Sequence, residues 1–148
     1  MSDKAPEAEG FAVLDSGKRQ QFASGMVRDT SEDKVRYHRV FDGPLFWRWA
    51  EHLHKGAIKY PDVAPGVANW TLACTVEEFW RFHESYYSHQ AKWEKGWTDE
   101  DHAAAMVFNL NGMEYVKEVL GYDPRQRRDE FLAEHRRKHR EGGSDGSG

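Results

Sequence analysis

Residues 98–121, TDEDHAAAMVFNLNGMEYVKEVLG, decide the fold of this chain, because they carry both end signals of a long helix. Thr98 and the acidic residues after it favour a helix start. Side-chain oxygens there accept the first free backbone N–H groups, and negative charge stabilises the positive end of the helix dipole. Gly121, followed closely by Pro124, is typical of a helix end. The pattern predicts a helix from about Asp99 to Gly121.

A second helix is predicted within residues 41–61, FDGPLFWRWAEHLHKGAIKYP, where apolar residues recur every four positions. Asp42 or Gly43 can cap its start, and Pro44 suits the first helical position. Pro61 ends it, because proline cannot continue a helix.

A third helix is predicted to begin at Thr75, where TVEE forms a capping box. In such a box Thr75 and Glu78 exchange hydrogen bonds with each other's backbone. The helix presents one apolar face that includes His89 and carries the residues Phe79, Phe82, Tyr86 and Trp93.

The remaining chain completes the predicted organisation. Residues 125–140, RQRRDEFLAEHRRKHR, predict a strongly charged surface helix, and residues 17–40 show no clear period. We therefore expect an all-α, MazG-like helical bundle with an irregular N-terminal segment wrapped around it and a charged C-terminal helix. The expected divisions are a disordered tail at 1–15, one domain at 16–122, and the charged helix with a flexible tail at 123–148.

Composition limits the classes of function. The formal net charge of −4 argues against bulk nucleic-acid binding, which usually needs a basic field. The single cysteine excludes an internal disulfide. With no apolar run of ~18 residues and no apolar leader, we expect a cytoplasmic protein without membrane contact.

Helical geometry indicates which polar groups can meet. His102 and Asn109 share a face, because seven residues return within ~20°. His89 faces this helix, so imidazole and carboxylate groups could gather in the bundle core, where an oxygen-rich set would suit Mg²⁺ or Mn²⁺. Glu84 lies ~140° from His89 and joins it only if the helix borders two cavities.

Purely structural explanations stay open for the same residues. Helix capping accounts for three of the four ionisable groups at residues 99–102. His89 can be a hydrogen-bonded core histidine. Asn109 can be a site residue or a buried amide with local partners.

A series of short blocks, in a fixed order, covers about Gly17 to Leu120. They are GMVRDT, EDKVRY, FDGPLFWRWAEHLHKGAIKY, NW, RFHES, SH and TDEDHAAAMVFNLNG. The series resembles the phage-borne dATP/dGTP diphosphohydrolase N-terminal domain family, which is related to the MazG-like all-helical pyrophosphohydrolases. The resemblance implies a phage enzyme of the host cytoplasm. With a divalent metal, such an enzyme hydrolyses purine deoxynucleoside triphosphates to the monophosphate and pyrophosphate.

The resemblance also implies site residues. Metal ligands are expected at Asp101, with help from Glu84, Glu100, His89 and His102, and the catalytic residues are expected to be Asp101, Glu84 and His102. Substrate contacts are expected from Arg28 and Lys59 on the phosphates, Tyr60 or Trp70 on the base, Asn69 on its edge, and Asn109. MazG-like bundles commonly form dimers or tetramers, so a homo-oligomer is expected.

Two alternatives remain. A non-catalytic nucleotide-binding or interaction module of phage origin would keep the aromatic and basic positions, and the acidic motifs of MazG-type enzymes are not in register here. An HD-type phosphohydrolase needs His followed by Asp, whereas this chain has Asp101 before His102.

Overall fold

The computed structural model describes residues 13–143, and four α-helices dominate them. The helices are α1 (Leu45–Lys59), α2 (Val76–Glu94), α3 (His102–Leu120) and α4 (Pro124–Gly142). The chain forms two compact units, one up to Arg39 and one from Val40 onward. The predicted all-α fold is confirmed. None of the helices within residues 13–143 combines the length and the apolar character that crossing a bilayer requires.

The N-terminal unit contains a short antiparallel hairpin. Strand β1 (Arg19–Gln21) pairs with β2 (Val27–Asp29), with Gln20 opposite Arg28. Gly25 turns the chain with a φ of 87°, a conformation that glycine adopts without steric cost. The irregular N-terminal segment is confirmed, with this hairpin as an addition that its polar sequence did not signal.

The core of the second unit lies between α2 and α3. Phe79 and Val116 are its largest fully buried side chains, and Met113 and Ala73 complete the cluster. Gly112 allows the close approach, because an added Cβ would lie only 2.6 Å from the Phe82 ring. Helix α1 packs against α3 as well. Trp93, predicted on the apolar face of α2, is instead 52% exposed, because it lies in the last turn beyond this core.

The helix ends follow the sequence signals in most places. The predicted capping box is confirmed in its first half, since Thr75 Oγ1 accepts from the Glu78 N–H at 3.2 Å. The return bond differs from the prediction: Glu78 Oε1 accepts from the Cys74 N–H at 3.2 Å and from the Thr75 hydroxyl at 2.7 Å. Gly121 ends α3 with a φ of 75°. The expected cap of α1 is wrong. Pro44 itself occupies the N-cap position, and no side chain caps the helix.

The N-terminus of α3 lies later than predicted. The helix begins at His102, and Asp101 is the capping residue, with its carboxylate accepting from the Ala104 N–H at 3.0 Å. The charged C-terminal helix is present as α4, capped by Asp123 and exposed beyond Pro124.

Candidate functional site

Two histidines meet where the last turns of α2 face the first turn of α3. His89 Nδ1 lies 2.9 Å from His102 Nδ1, and His102 Nε2 lies 2.8 Å from Asp99 Oδ1. Glu100 is close enough that one ligand atom each from His89, Glu100 and His102 lie within 4.8 Å of one another. Within residues 13–143 this group, here called the His–Glu–His cluster, is the one set of three that could hold a metal ion.

The hydrogen bonds define the protonation of the imidazole pair. A carboxylate only accepts, so His102 Nε2 carries the proton that it donates to Asp99. The His102 side chain is 1% exposed. The burial of His89 itself lowers the pKa of His89 below its ordinary value. The bond to His102 holds the pKa of the Asp99 carboxyl below its ordinary range. The two facing Nδ1 atoms share a single proton.

Asp101 has different partners from those predicted. Arg48 donates to it with both arms of the guanidinium, Nε to Oδ2 at 2.7 Å and Nη2 to Oδ1 at 2.5 Å. This bond lowers the pKa of the Asp101 carboxyl. Since one carboxylate both pairs with Arg48 and caps α3, its predicted role as the main metal ligand does not fit its contacts. Asp101 instead ties α1 to the start of α3.

Glu84 also lies apart from the His–Glu–His cluster. Its side chain is 75% exposed and pairs with Arg81 at 3.5 Å. The helical arithmetic that separates it from His89 holds in the structure, so the predicted ligand and catalytic roles of Glu84 have no geometric support.

A cavity of about 800 Å³ lies beside the cluster. One wall is a face of α1, a second is the short 3-10 turn Asn69–Leu72, and a third is the start of α3. Four residues predicted to bind substrate line it together: Lys59, Tyr60, Asn69 and Trp70. Glu100 and Asp101 line it too, so the cavity reaches the edge of the cluster.

Aromatic contacts hold the cavity wall in place. Trp70 packs edge-on against Phe108 and Tyr115, with ring centroids 6.1 and 5.2 Å away. The Tyr115 hydroxyl donates to the Thr71 carbonyl at 2.8 Å, which anchors the turn that carries Trp70. Lys59 Nζ lies 5.2 Å from the centre of the Tyr60 ring.

Arg48 and His52 are among the polar residues of this cavity that the sequence analysis did not identify. His52 contacts Phe108 with ring centroids 5.4 Å apart, and burial lowers its pKa, which favours the neutral imidazole. A signal was present. Arg48, His52, Lys55 and Lys59 follow one another at steps of three or four residues, which places them on one face of α1.

A smaller recess of about 430 Å³ lies beside the first cavity. His102, Trp93 and Trp97 line it, and it shares Arg48, Glu100 and Asp101 with the larger cavity. Glu100 therefore borders both spaces, whereas His102 faces only the smaller one.

The two other predicted contacts lie elsewhere. Asn109 is buried and donates from Nδ2 to the Ala105 carbonyl at 2.8 Å, so its amide bonds within α3 and does not line the cavity. Arg28 is exposed on β2 in the N-terminal unit.

The chain was compared with protein-family models, curated proteins and solved structures, and none of the three comparisons finds a match.

Proposed function

We propose that the protein hydrolyses purine deoxynucleoside triphosphates such as dATP and dGTP to the monophosphate and pyrophosphate, using a divalent metal ion. One observation carries the proposal. Lys59, Tyr60, Asn69 and Trp70, which come from two separate segments, line one cavity with Glu100. Its volume of about 800 Å³ lies within the range of small-ligand sites, ~300–1,000 Å³.

Trp70 and Asn69 would bind the base. Trp70, held by Phe108 and Tyr115, offers a fixed ring on which a purine can stack, and base–aromatic stacking contributes ~1–3 kcal/mol. Asn69 has an amide that both donates and accepts hydrogen bonds, as reading a purine edge requires.

Lys55 and Lys59 would bind the phosphates. Lys55 and Lys59 lie four residues apart on α1 and line the same cavity, so their ammonium groups can neutralise a triphosphate together. Arg48 is already paired with Asp101, which makes the two lysines the available cations on this face. His52, which lines the cavity and whose pKa is lowered by burial, would accept the proton of an attacking water.

The His–Glu–His cluster fits a divalent ion, because its two imidazole nitrogens and one carboxylate are common ligand types. A bound ion would neutralise phosphate charge and lower the pKa of a water molecule. Glu100 would bring that charge to the cavity, since it lines the wall there.

The test is a panel of deoxynucleotides incubated with the metal-stripped protein and Mg²⁺, Mn²⁺ or Zn²⁺, followed by chromatography of the products. The proposal expects monophosphate and pyrophosphate in equal amounts from dATP or dGTP. Release of inorganic triphosphate, or of single phosphates, would refute the reaction class.

A non-catalytic nucleotide-binding module is the second candidate, and the engagement of Asp101 by Arg48 favours it. A nucleotide that binds with the cavity residues and leaves unchanged after incubation with every metal would support this candidate.

We also propose a dimer or tetramer in the host cytoplasm. Phe41, which precedes α1, and Trp47, in its first turn, support self-association, because they are 47% and 57% exposed and their ring centroids lie 5.3 Å apart. Light scattering in solution gives the mass directly, and a monomer at micromolar concentration would refute the oligomer.

A further inference from the structure

We infer that His89, Glu100 and His102 form a binding site for a first-row transition metal ion of the Zn²⁺ class, and that Asp99 positions His102 for it. The inference refines the proposed function and rests on the same site. It needs no nucleotide, however, and therefore has its own test.

The donor set points away from magnesium. Mg²⁺ prefers oxygen ligands and keeps several waters, whereas imidazole suits Zn²⁺, Mn²⁺, Fe²⁺ and their neighbours. Two histidine nitrogens and one carboxylate oxygen leave further coordination positions for water or a phosphate oxygen, as in catalytic zinc and non-haem iron sites. The Mg²⁺ expected from the sequence would then enter with the triphosphate instead of residing in the cluster.

The geometry of the histidine pair is close to what an ion needs. Two nitrogens bonded to one metal at ~2.1 Å lie about 3.0–3.4 Å apart for angles from 90° to tetrahedral. The two Nδ1 atoms are 2.9 Å apart in the hydrogen-bonded pair. An ion can replace the shared proton if the rings separate by a few tenths of an ångström and each ring turns so that its Nδ1 lone pair points at the ion, which lies to one side of the line between the two nitrogens.

The two imidazoles keep the same number of protons when the metal binds. His102 keeps the Nε2 proton that it donates to Asp99, so its Nδ1 lone pair is already free. His89 donates its Nδ1 proton to that lone pair. When a metal binds, His89 takes the other neutral tautomer, with its proton on Nε2, and its Nδ1 becomes a ligand.

Asp99 acts through His102. A metal-bound histidine almost always donates its second N–H to a carboxylate or carbonyl, which fixes the ring and its tautomer. The 2.8 Å bond from His102 Nε2 to Asp99 is this arrangement. Asp99 has no place as a ligand in the cluster, so it is a positioning residue.

A competing histidine pair exists on α4. His135 and His139 are exposed, four residues apart, with ring centroids 4.3 Å apart. Such a pair can bind transition metals weakly, so it supplies the matched control.

The test uses the full-length chain, stripped with a chelator, and isothermal titration with ZnCl₂ and then MgCl₂. We expect one tight Zn²⁺ per chain and Mg²⁺ binding at least about 100-fold weaker. Glu100→Gln and His89→Gln should each weaken Zn²⁺ binding by about 100-fold or more, and Asp99→Ala by about 10- to 100-fold. The double variant His135→Gln/His139→Gln should keep the tight site.

Glu100 is exposed, so Glu100→Gln keeps the test valid if a histidine variant fails to fold. Circular dichroism checks the helix content of each variant. Nitrogen-15 NMR of the imidazoles adds a direct readout: Zn²⁺ should shift the Nδ1 signals of His89 and His102, not those of the α4 pair.

Two results would overturn the inference: unchanged Zn²⁺ affinity in Glu100→Gln and His89→Gln, or loss of the tight site in the α4 double variant. Its failure is distinguishable from failure of the proposed function. Tight Zn²⁺ binding without nucleotide turnover leaves the inference standing alone, whereas turnover with Mg²⁺ by protein that binds no Zn²⁺ leaves only the function.

Discussion

Replacing Gly112 with alanine should destabilise the protein, because α3 passes closest to the Phe82 ring of α2 at this position. An added Cβ would lie 2.6–2.8 Å from three ring carbons, whereas carbon atoms in contact are ~3.5–4.0 Å apart. The ring or the helix must then move by about 1 Å, and overpacking of a core costs about 1–3 kcal/mol. Alanine recovers about 0.5–1 kcal/mol of helix propensity. We expect a net loss of about 1 kcal/mol in the free energy of unfolding.

The assay is equilibrium unfolding in urea, followed by circular dichroism, with the midpoint and the slope both recorded. Gly56→Ala on α1 is the matched control, because a Cβ there meets nothing within 4 Å. It should gain about 0.5–1 kcal/mol. In a Phe82→Leu background, Gly112→Ala should cost less, since the ring that it strikes is gone.

A Gly112→Ala variant as much stabilised as Gly56→Ala would contradict this close approach. A double-mutant cycle without coupling between Gly112 and Phe82 would contradict it as well. Either result would mean that α2 and α3 do not approach as closely as the structure has them. The contact of His89 with His102, which depends on the same pair of helices, would then be in question.

Three further predictions concern separate parts of the protein. Trp70→Leu should weaken dATP binding by about tenfold, since stacking contributes ~1–3 kcal/mol. Trp47→Leu, which lies outside the cavity, should leave dATP binding unchanged. Fluorescence titration measures both dissociation constants. Lys59→Gln should weaken binding of dATP more than that of dAMP, because the lost charge would face the two phosphates that dAMP lacks. Lys138→Gln on α4 should change neither dissociation constant, and calorimetry measures both. Asp123→Ala should lower stability by about 1 kcal/mol at pH 7 through loss of the α4 cap. Hydrogen bonds from the Arg125 guanidinium lower the pKa of Asp123 from 3.8 to about 2. This contribution is therefore complete above pH 4 and lost as the pH falls towards 2, so the two unfolding curves should converge there.

Local signals explain why the helices could be predicted. The Thr75–Glu78 box and Gly121 cap helix ends through contacts with residues close by in the sequence, so a short stretch of sequence is enough to recognise them. The hairpin could not be predicted, because strands of three residues are too short to show an alternating pattern. Its pairing depends on a turn at Gly25.

The site was predictable only in part. Helical spacing places His89 and His102 towards each other, and the structure joins them. Aspartate is a common capping residue, but the Asp99 carboxylate accepts a hydrogen bond from the His102 imidazole and not from a backbone N–H. Asp101 is the actual cap, and its ion pair with Arg48 spans 53 residues of sequence, so no local pattern could reveal it.

Diffraction from crystals grown with Zn²⁺ and a non-hydrolysable dATP analogue, measured at the zinc absorption edge, tests the central claim most directly. We expect an anomalous peak within bonding distance of Nδ1 of His89, Nδ1 of His102 and the Glu100 carboxylate, with the purine against Trp70. Zinc bound at the α4 histidines, or a nucleotide outside the cavity, would contradict it.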